Sequence, residues 1–304
     1  MNRQAPLAGI AYGLTAYVIW GFFPLYFRQL AAIDPIDILC HRTTWAFAVV
    51  ALLLTLRRRW NNVVALFATP RHVVRLAIAA LLLSANWLGF LWAVNQHQVV
   101  ASSLGYFLTP LVNVLLGLLV LKERLNGKEW AAVGLAVVAV GNELVALGTL
   151  PWISLFLALT FGSYGLLRKQ VPVDAISGLW LETLAMLPLC LIYTLWQATQ
   201  GHFVFGQNNG LTLGPAFDSM VVALLVGSGI LTALPLMAFA AATQRLDLAM
   251  VGMLMYINPT MQFLTAIVVF DEPLQPARLL SFALIWLGLI LYSASAWQKY
   301  RSPG

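Results

Sequence analysis

Three ionisable side chains lie within long apolar stretches of this sequence, where a charge is energetically costly. His41 and Arg42 fall in the stretch 37–56, and Glu182 falls in the stretch 175–197. Ionisable groups held away from water commonly act in gating, ion pairing or proton transfer, so we expect a gating or coupling role for all three. Glu182 is the candidate for proton coupling, because burial favours the protonated form of a carboxyl group. The alternative for Arg42 is that its long side chain extends to the nearer aqueous interface.

A second set of polar residues flanks prolines inside apolar stretches. Asn113 follows shortly after Pro110, while Asn258 and Gln262 lie on either side of Pro259. A proline within a helix leaves one carbonyl group without its intrahelical partner, and residues four apart share a helix face. The three amides are therefore candidates for solute binding, although interhelical hydrogen bonding is an equally good interpretation of each one.

Aromatic residues accompany the same positions. Many of the 11 Trp and 9 Tyr residues are expected at interfaces between water and lipid, but some lie beside the prolines and glycines that interrupt an apolar stretch. We expect these to form an aromatic wall that binds an amphipathic or aromatic solute, with Asn86 and Trp87 as further contacts. The aromatic residues beside interruptions are Trp20, Tyr106, Tyr164 and Tyr256.

The composition indicates which elements must position these residues. The 304 residues are 61% hydrophobic and 9% charged, whereas a soluble domain carries roughly a quarter charged residues. The chain cannot build a water-facing shell, so its apolar residues must face lipid. The net charge of +6 does not indicate nucleic-acid binding, because the cations cluster in short connections between apolar runs. Cys40 and Cys190 both lie in apolar runs and give no disulfide framework, and neither a metal nor a cofactor is expected.

Ten stretches are long enough to span a bilayer, and all should be α-helices because lipid offers no partner to unpaired backbone groups. With the N-terminus in the cytoplasm, all 17 Lys and Arg except Arg28, Arg42 and Arg278 lie on the cytoplasmic side, as the positive-inside rule favours. We therefore predict a multi-pass inner-membrane protein with both termini cytoplasmic, in which Arg42 and Glu182 lie near opposite faces and do not pair. The predicted spans are 7–27, 37–56, 74–94, 100–121, 129–147, 152–167, 175–197, 217–242, 248–270 and 277–297.

The sequence also repeats itself. The run 105–110 (GYFLTP) is followed by Glu123, and the run 255–259 (MYINP) is followed by Glu272, with the same spacing from proline to glutamate. We predict an all-α integral membrane fold of two five-helix halves, residues 1–147 and 148–304. Because five is odd, the halves enter the membrane in opposite orientations, which is the architecture of alternating-access transporters. The interruptions about which the halves would rock are Pro24, Pro110, Gly165 and Pro259.

A transporter that exports or exchanges small metabolites is the first functional hypothesis. No G-x-x-x-x-G-K-[ST] motif occurs, so ATP is not its direct energy source. An integral-membrane enzyme is disfavoured because the four histidines are scattered and no H-E-x-x-H motif occurs, and a non-transporting sensor or assembly subunit stays open as the alternative. The expected partners are a small-molecule solute, the lipid bilayer and a proton as coupling ion. Ala132 and Ala136 permit close helix contact within one chain or between the copies of a homodimer.

Several of these motifs resemble a known family. Asn86-Trp87 and the runs 103–107 (SLGYF), 121–125 (LKERL) and 256–260 (YINPT), with 20–26 (WGFFPLY), are similar to the RarD-like branch of the EamA family, in the drug/metabolite transporter superfamily. One departure is Thr109, where many relatives have Asn. The resemblance implies a ten-helix inner-membrane protein with two EamA repeats and a central cavity formed mainly by helices 1, 3, 4, 6, 8 and 9. Relatives export amino acids or exchange metabolites, and the resemblance supplies no set of binding residues.

Overall fold

A computed structural model describes residues 4–30, 32–95, 99–148, 152–200, 215–270 and 276–301. Within these ranges the chain is helical, with short connections and one 3₁₀ turn at Arg28–Leu30. The helices are α1 (Gln4–Gly21), α2 (Phe23–Phe27), α3 (Pro35–Leu56), α4 (Trp60–Phe67), α5 (Pro70–Asn95), α6 (Val99–Leu119), α7 (Gly127–Leu147), α8 (Trp152–Gln170), α9 (Ala175–Thr199), α10 (Pro215–Thr243), α11 (Leu248–Met255), α12 (Ile257–Phe270) and α13 (Pro276–Arg301).

Every predicted span coincides with one of these helices or with a consecutive pair. In the described part of the chain, seven helical stretches are both long and apolar enough to cross a membrane, and residues Leu104–Leu119 and Leu279–Ser295 form shorter apolar helices. The architecture is that of an all-α, multi-pass membrane protein. The seven stretches are Pro6–Leu30, Pro35–Leu56, Pro70–Phe90, Gly127–Ala146, Ala175–Thr199, Met220–Thr243 and Leu248–Val269.

The two helices that carry Arg42 and Glu182 begin in the same way. Asp34 caps α3 by accepting a hydrogen bond from the Ile36 N–H at 2.7 Å, and Asp174 caps α9 by accepting one from the Ser177 N–H at 3.1 Å. Such caps satisfy backbone donors that a helix start leaves unpaired. They fix where each helix begins, and hence the depth of every residue along it.

A short helix that the sequence analysis did not predict follows α3. Helix α4 is too short to span a bilayer, buries Val63 and Leu66, and exposes Trp60 and Phe67 at its two ends. Its Asn62 side chain donates a hydrogen bond to Asp174 at 3.2 Å. A short helix with one buried and one exposed apolar face is suited to the membrane interface.

This contact influences the ionisation of Asp174, which lies outside the spans. Burial opposes ionisation of the carboxyl group, but hydrogen bonds from Ser177 and Asn62 and the charge of nearby Arg59 outweigh it. The pKa of Asp174 is therefore below its usual value.

The principal contacts of the bundle join its first half to its second. Helix α6 packs between α8 and α11, α7 packs on α13, and α3 packs on α9 and α10. Helix α1 packs on α10 and α12, while α5 packs on α8 and α9. Ala132 and Ala136 are buried, and the backbone of Ala132 lies beside Gly288 of α13. These small residues thus serve close packing inside the chain.

Two of the four predicted interruptions are wrong in the described structure. Helix α6 continues through Pro110 and α8 continues through Gly165. Neighbouring helices hold the α6 backbone helical despite the hydrogen bond that Pro110 removes, and Gly165 keeps its N–H and lies in close contact with neighbouring helices. The interruptions that do occur lie at Phe22, between α1 and α2, and at Tyr256, between α11 and α12. Pro24 and Pro259 fall in the first turn of the helix that follows each break, where proline is tolerated.

Candidate functional site

The two interrupted helices meet at one place in the bundle. A Cβ atom on Gly21, the last residue of α1, would overlap the Met261 side chain and lie 3.6 Å from the Asn258 carbonyl oxygen. Only glycine permits this approach. The Gln262 side chain donates a hydrogen bond to the Asn258 side chain at 2.9 Å, so these two amides share one helix face, as their spacing predicts.

Asn113 lies where α6, α8 and α11 cross. A Cβ atom on Gly162 or Gly165 of α8 would lie 3.3 or 3.7 Å from its Oδ1, and one on Gly252 of α11 would lie 2.8 Å from its Cβ. The residue has no exposed surface, and neither atom of its amide has a hydrogen-bond partner among the described residues. An unsatisfied buried polar group costs about 1–3 kcal/mol, so a solute that pairs with this amide would recover that cost.

A cluster of aromatic rings packs beside these crossings. The Trp20 ring lies 5.8 Å from both Phe161 and Phe239, measured between centroids, and Tyr164 stacks on Phe239 at 5.6 Å. Tyr17 extends the cluster and donates its hydroxyl to the Val251 carbonyl at 2.9 Å. Two of the predicted aromatic contacts, Trp20 and Tyr164, are therefore brought together through rings that the sequence did not single out.

The other two predicted aromatic contacts, Tyr106 and Tyr256, pack on rings outside the Trp20 cluster. Tyr256 packs on Phe107 with ring centroids 6.5 Å apart and donates its hydroxyl to the Phe107 carbonyl at 3.1 Å. Tyr106 packs on Phe90 of α5 with ring centroids 6.1 Å apart. An aromatic wall that joins all four predicted rings therefore stays a prediction.

Asn86 joins two helices. Its side-chain nitrogen donates to the Leu157 carbonyl at 2.8 Å and to the Thr160 hydroxyl at 2.9 Å, both on α8. The residue is buried. Its donor capacity is therefore used within the protein, which is the interhelical role named above as the alternative for buried amides.

Arg42 is surrounded by aromatic rings from other helices. Its guanidinium carbon lies 4.3 Å from the centroid of the Trp87 ring, 5.1 Å from Phe27 and 5.7 Å from Phe23. Its Nε donates to the Thr232 hydroxyl at 3.1 Å. Cation–π contacts of this kind stabilise a guanidinium away from bulk water. The sequence predicted Arg42 and Trp87 as separate candidates, and the structure places them in one site.

The neighbours of Arg42 extend this site. Tyr106 interacts electrostatically with Arg42, so α6 also contributes to this site. His41 is buried and has an interaction partner of its own.

Glu182 forms a buried ion pair that the sequence analysis missed. Its Oε1 lies 3.3 Å from Nη1 of Arg168, and these side chains are 3% and 1% exposed. Tyr164 donates its hydroxyl to the same carboxylate at 3.4 Å. The prediction that Arg168 lies in a water-exposed connection is wrong. Arg168 is buried in α8, one turn beyond Tyr164 and on the same helix face. That spacing was the signal in the sequence.

The guanidinium of Arg168 is tightly enclosed. A Cβ atom on Gly178 of α9 would overlap it, and none of its three nitrogens makes a hydrogen bond to a described residue. The contact to Glu182 is therefore an ion pair by distance rather than by hydrogen-bond geometry. As predicted, Glu182 does not pair with Arg42.

The Arg42 and Glu182 sites have matching positions in the two halves. Arg42 lies eight residues after Asp34, and Glu182 lies eight residues after Asp174, the residues that cap their helices. Arg42 faces Phe23 and Phe27, which are four residues apart on α2, and Glu182 faces Tyr164 and Arg168, which are four apart on α8.

A second carboxylate ties the two halves at one end of the bundle. The Glu123 side chain accepts hydrogen bonds from the Leu248 and Ala249 N–H groups at 2.7 and 3.0 Å, so it caps α11 from the connection after α6. The Lys169 ammonium lies 3.8 Å from the same carboxylate and donates to the Leu246 carbonyl. Glu272, its counterpart in the repeat, lies outside the described residues.

Comparison with known proteins is consistent with this geometry. Residues 7–141 match the EamA-like transporter family. The chain is 45% identical over 296 residues to an uncharacterized transporter of Pseudomonas aeruginosa, which covers 96% of this chain and 95% of that protein. It is 38% identical over 296 residues to protein RarD of Escherichia coli, with 97% of both chains covered.

A solved crystal structure has the same fold. It superposes with a TM-score of 0.70 over 96% of this chain and 98% of that chain, at 20% sequence identity. The near-complete matches to protein RarD and to uncharacterized transporters, together with the apolar helical bundle, identify the chain as a membrane transporter of the RarD-like branch of the EamA family.

Proposed function

We propose that this protein is a secondary transporter that moves small organic solutes by alternating access between two inverted repeats, residues 1–147 and 148–304. The single observation that carries the proposal is that the principal helix contacts are preserved when the two halves are exchanged. Such an internal symmetry is the basis of alternating access, because each half can adopt the packing of the other.

The exchange can be followed helix by helix. It converts α1–α2 into α8, α3 into α9, α5 into α10, α6 into α11–α12, and α7 into α13. Under this exchange, the contact of α6 with α8 corresponds to the contact of α11–α12 with α1. The contact of α3 with α10 corresponds to that of α9 with α5, and the contact of α1 with α10 corresponds to that of α8 with α5. Both members of each of these three pairs of contacts occur in the structure. Three further principal contacts, α3 with α9, α6 with α11 and α7 with α13, map onto themselves. The weaker contact of α8 with α10 has no counterpart of similar size between the described residues of α5 and α1–α2. The EamA match ends at residue 141, close to the proposed boundary between the repeats.

All ten helical stretches span the inner membrane in this proposal, with both termini in the cytoplasm. The distribution of Lys and Arg along the sequence supports that orientation. Helix α8 is not among the seven stretches that are long and apolar enough to cross a membrane. The burial of Arg168 against Glu182 supports its insertion, because the pair removes an otherwise unmatched charge.

The solute would bind between the interruptions of α1–α2 and α11–α12. Asn113 supplies a free buried amide, Asn258 and Gln262 supply a coupled pair, and the rings around Trp20 and Tyr164 supply an apolar surface. A few convergent polar groups against a mainly apolar lining are typical of sites for small organic solutes.

Flux in proteoliposomes tests the proposal. Purified wild-type protein should exchange a labelled solute, and Asn113→Leu or Asn258→Leu should abolish that exchange without reducing thermal stability or membrane insertion. Asn142→Leu is the matched control, because Asn142 makes an interhelical hydrogen bond to Ser281 away from the site. Wild-type flux in both site variants would rule out the assigned residues, and equal loss in the control would indicate a purely structural role.

The same vesicles separate export from exchange. An exchanger requires solute on the opposite side for release of the label, whereas a uniporter or a proton-coupled exporter does not. Solute identity can be sought first by thermal shift, because a ligand that binds only the folded state raises its apparent stability.

A further inference from the structure

Arg42 carries a charge that nothing in the described part of the chain neutralises. The ion pairs there join Arg168 to Glu182 and Lys169 to Glu123. Arginine keeps its proton under all physiological conditions, and an unpaired charge within a span is costly. The aromatic rings around Arg42 reduce this cost but do not supply a counter-charge.

At the matching position in the second half of the chain, the charged residue has a partner of opposite charge. The residue at the same position of α9 is Glu182, and α8 offers it Arg168, a side chain of opposite charge. Against Arg42, the corresponding residue of α2 is Phe27, which offers only a ring face. The second half thus provides its own counter-ion, and among the described residues of the first half none does so for Arg42.

The guanidinium of Arg42 is also held in a defined orientation. Thr232 donates its hydroxyl to the Ser228 carbonyl at 2.7 Å, which directs its lone pairs towards Nε of Arg42 at 3.1 Å. The two terminal nitrogens have no acceptor among the described residues and, unlike those of Arg168, are not enclosed. Two parallel N–H donors of this kind match a carboxylate or phosphate bidentately.

We propose that Arg42 binds the anionic group, a carboxylate or a phosphate, of an organic solute whose apolar or aromatic part packs against Trp87 and Phe27. This inference rests on the proposed transport function and adds the substrate class. The anionic group of the solute neutralises Arg42, as Arg168 neutralises Glu182 in the second half. Thr232 is a positioning residue that orients the Arg42 guanidinium. A phospholipid headgroup carries the same chemistry, and the experiment distinguishes the two sources.

Thermal shift on the purified protein with matched probes tests the proposal. Phenylacetate and phenyl phosphate should stabilise the wild type, whereas phenylacetamide, which has the same ring without the charge, should not. Arg42→Gln should weaken binding of the anions by about tenfold to a hundredfold, as for loss of a charged hydrogen-bond donor. Arg42→Lys should bind the anions with an affinity between those of the wild type and Arg42→Gln, because lysine keeps the charge but lacks the two parallel N–H donors of arginine. Arg57→Gln, at an exposed position, is the control and should bind as wild type.

Chemical modification gives a second, site-specific measurement. Phenylglyoxal should modify Arg42 but not the enclosed Arg168, and phenylacetate should protect Arg42 while leaving modification of Arg57 unchanged. Peptide mass spectrometry reports each site separately, so a variant that is merely destabilised cannot imitate the result.

Several results would overturn the proposal. These are equal stabilisation by phenylacetate and phenylacetamide, anion binding that survives Arg42→Gln, and absence of stabilisation by every anion tested. Stabilisation by dioleoyl phosphatidylglycerol alone, lost in Arg42→Gln, would assign the site to lipid instead. None of these binding measurements depends on transport. Anion binding without transport would therefore refute only the proposed transport function, and transport without anion selectivity would refute only the role of Arg42.

Discussion

Replacing Glu182 by Gln should destabilise the protein more than any change of similar size on its surface. The substitution removes the carboxylate and leaves Arg168 charged, 1% exposed and without another ion-pair partner in the described chain. At the observed 3.3 Å separation, the attraction between unit charges is roughly 5 kcal/mol at an effective dielectric constant of about 20. Desolvating each ion costs several kcal/mol, so the intact pair contributes little net stability, but losing one partner costs about 3–5 kcal/mol.

A double-mutant cycle in mixed detergent micelles measures this coupling. Glu182→Gln and Arg168→Gln should each lower the free energy of unfolding, whereas the double variant should be more stable than either single one. That order requires a coupling energy larger than each single loss, about 5 kcal/mol. Gly178→Ala should also destabilise, because its methyl group would displace the Arg168 guanidinium, while Gly134→Ala, with no atom within 4 Å of the new methyl group, should not. Additive losses in the double variant, or single losses below about 1 kcal/mol, would refute the account of a coupled buried pair.

The remaining predictions concern coupling, capping and pH. Glu182→Gln vesicles should no longer respond to an imposed pH gradient if this carboxyl couples protons, and a wild-type response would end that assignment. Glu123→Ala should lower the free energy of unfolding by about 1–2 kcal/mol through loss of the cap on Leu248 and Ala249, with partial recovery in Glu123→Gln; no change in a thermal melt would contradict the cap. Because the folded-state pKa of Asp174 is depressed, its ionised form stabilises the protein above the unfolded-state pKa of about 4, and this contribution is lost as pH falls through the lower folded-state value. The stability of Asp174→Asn should therefore lie below wild type near neutral pH and converge with it in acid, and parallel curves down to acid pH would be inconsistent with that ionisation.

The helical architecture could be predicted from the sequence because lipid imposes long, uniformly apolar segments. Runs of about 20 apolar residues leave few alternatives to a spanning helix, and the cations between them mark the connections. The amide pair Asn258 and Gln262 could be predicted for the same reason, since helical spacing alone puts residues four apart on one face.

The ion pair of Glu182 was missed because the spacing of Tyr164 and Arg168 is informative only if α8 extends far enough to include Arg168. The predicted span ended at residue 167, whereas α8 continues to Gln170 and carries Arg168 into the bundle. A local cluster of Arg168 and Lys169 looks like a connection, and only the packing of α9 against it shows that one of these two cations is buried.

Whether a helix is actually broken at a predicted interruption depends on tertiary packing in the same way. Pro110 removes one backbone bond, yet α6 stays helical because α8 and α11 enclose it. Where a helix has such neighbours on both sides, the local sequence rule is overridden. The Arg42 site likewise joins residues from α2, α3, α5 and α10, which are distant in sequence and carry no shared motif.

The contact of Glu123 and Lys169 with the start of α11 has a consequence for the transport cycle. One carboxylate from the first proposed repeat and one ammonium from the second hold three segments together, as a clasp at that end of the bundle. In the proposed alternating-access cycle, a pathway cannot open there until these bonds part, so their summed strength would set how rarely the protein visits the opposite-facing state. Weakening the clasp would populate that state in the absence of any solute.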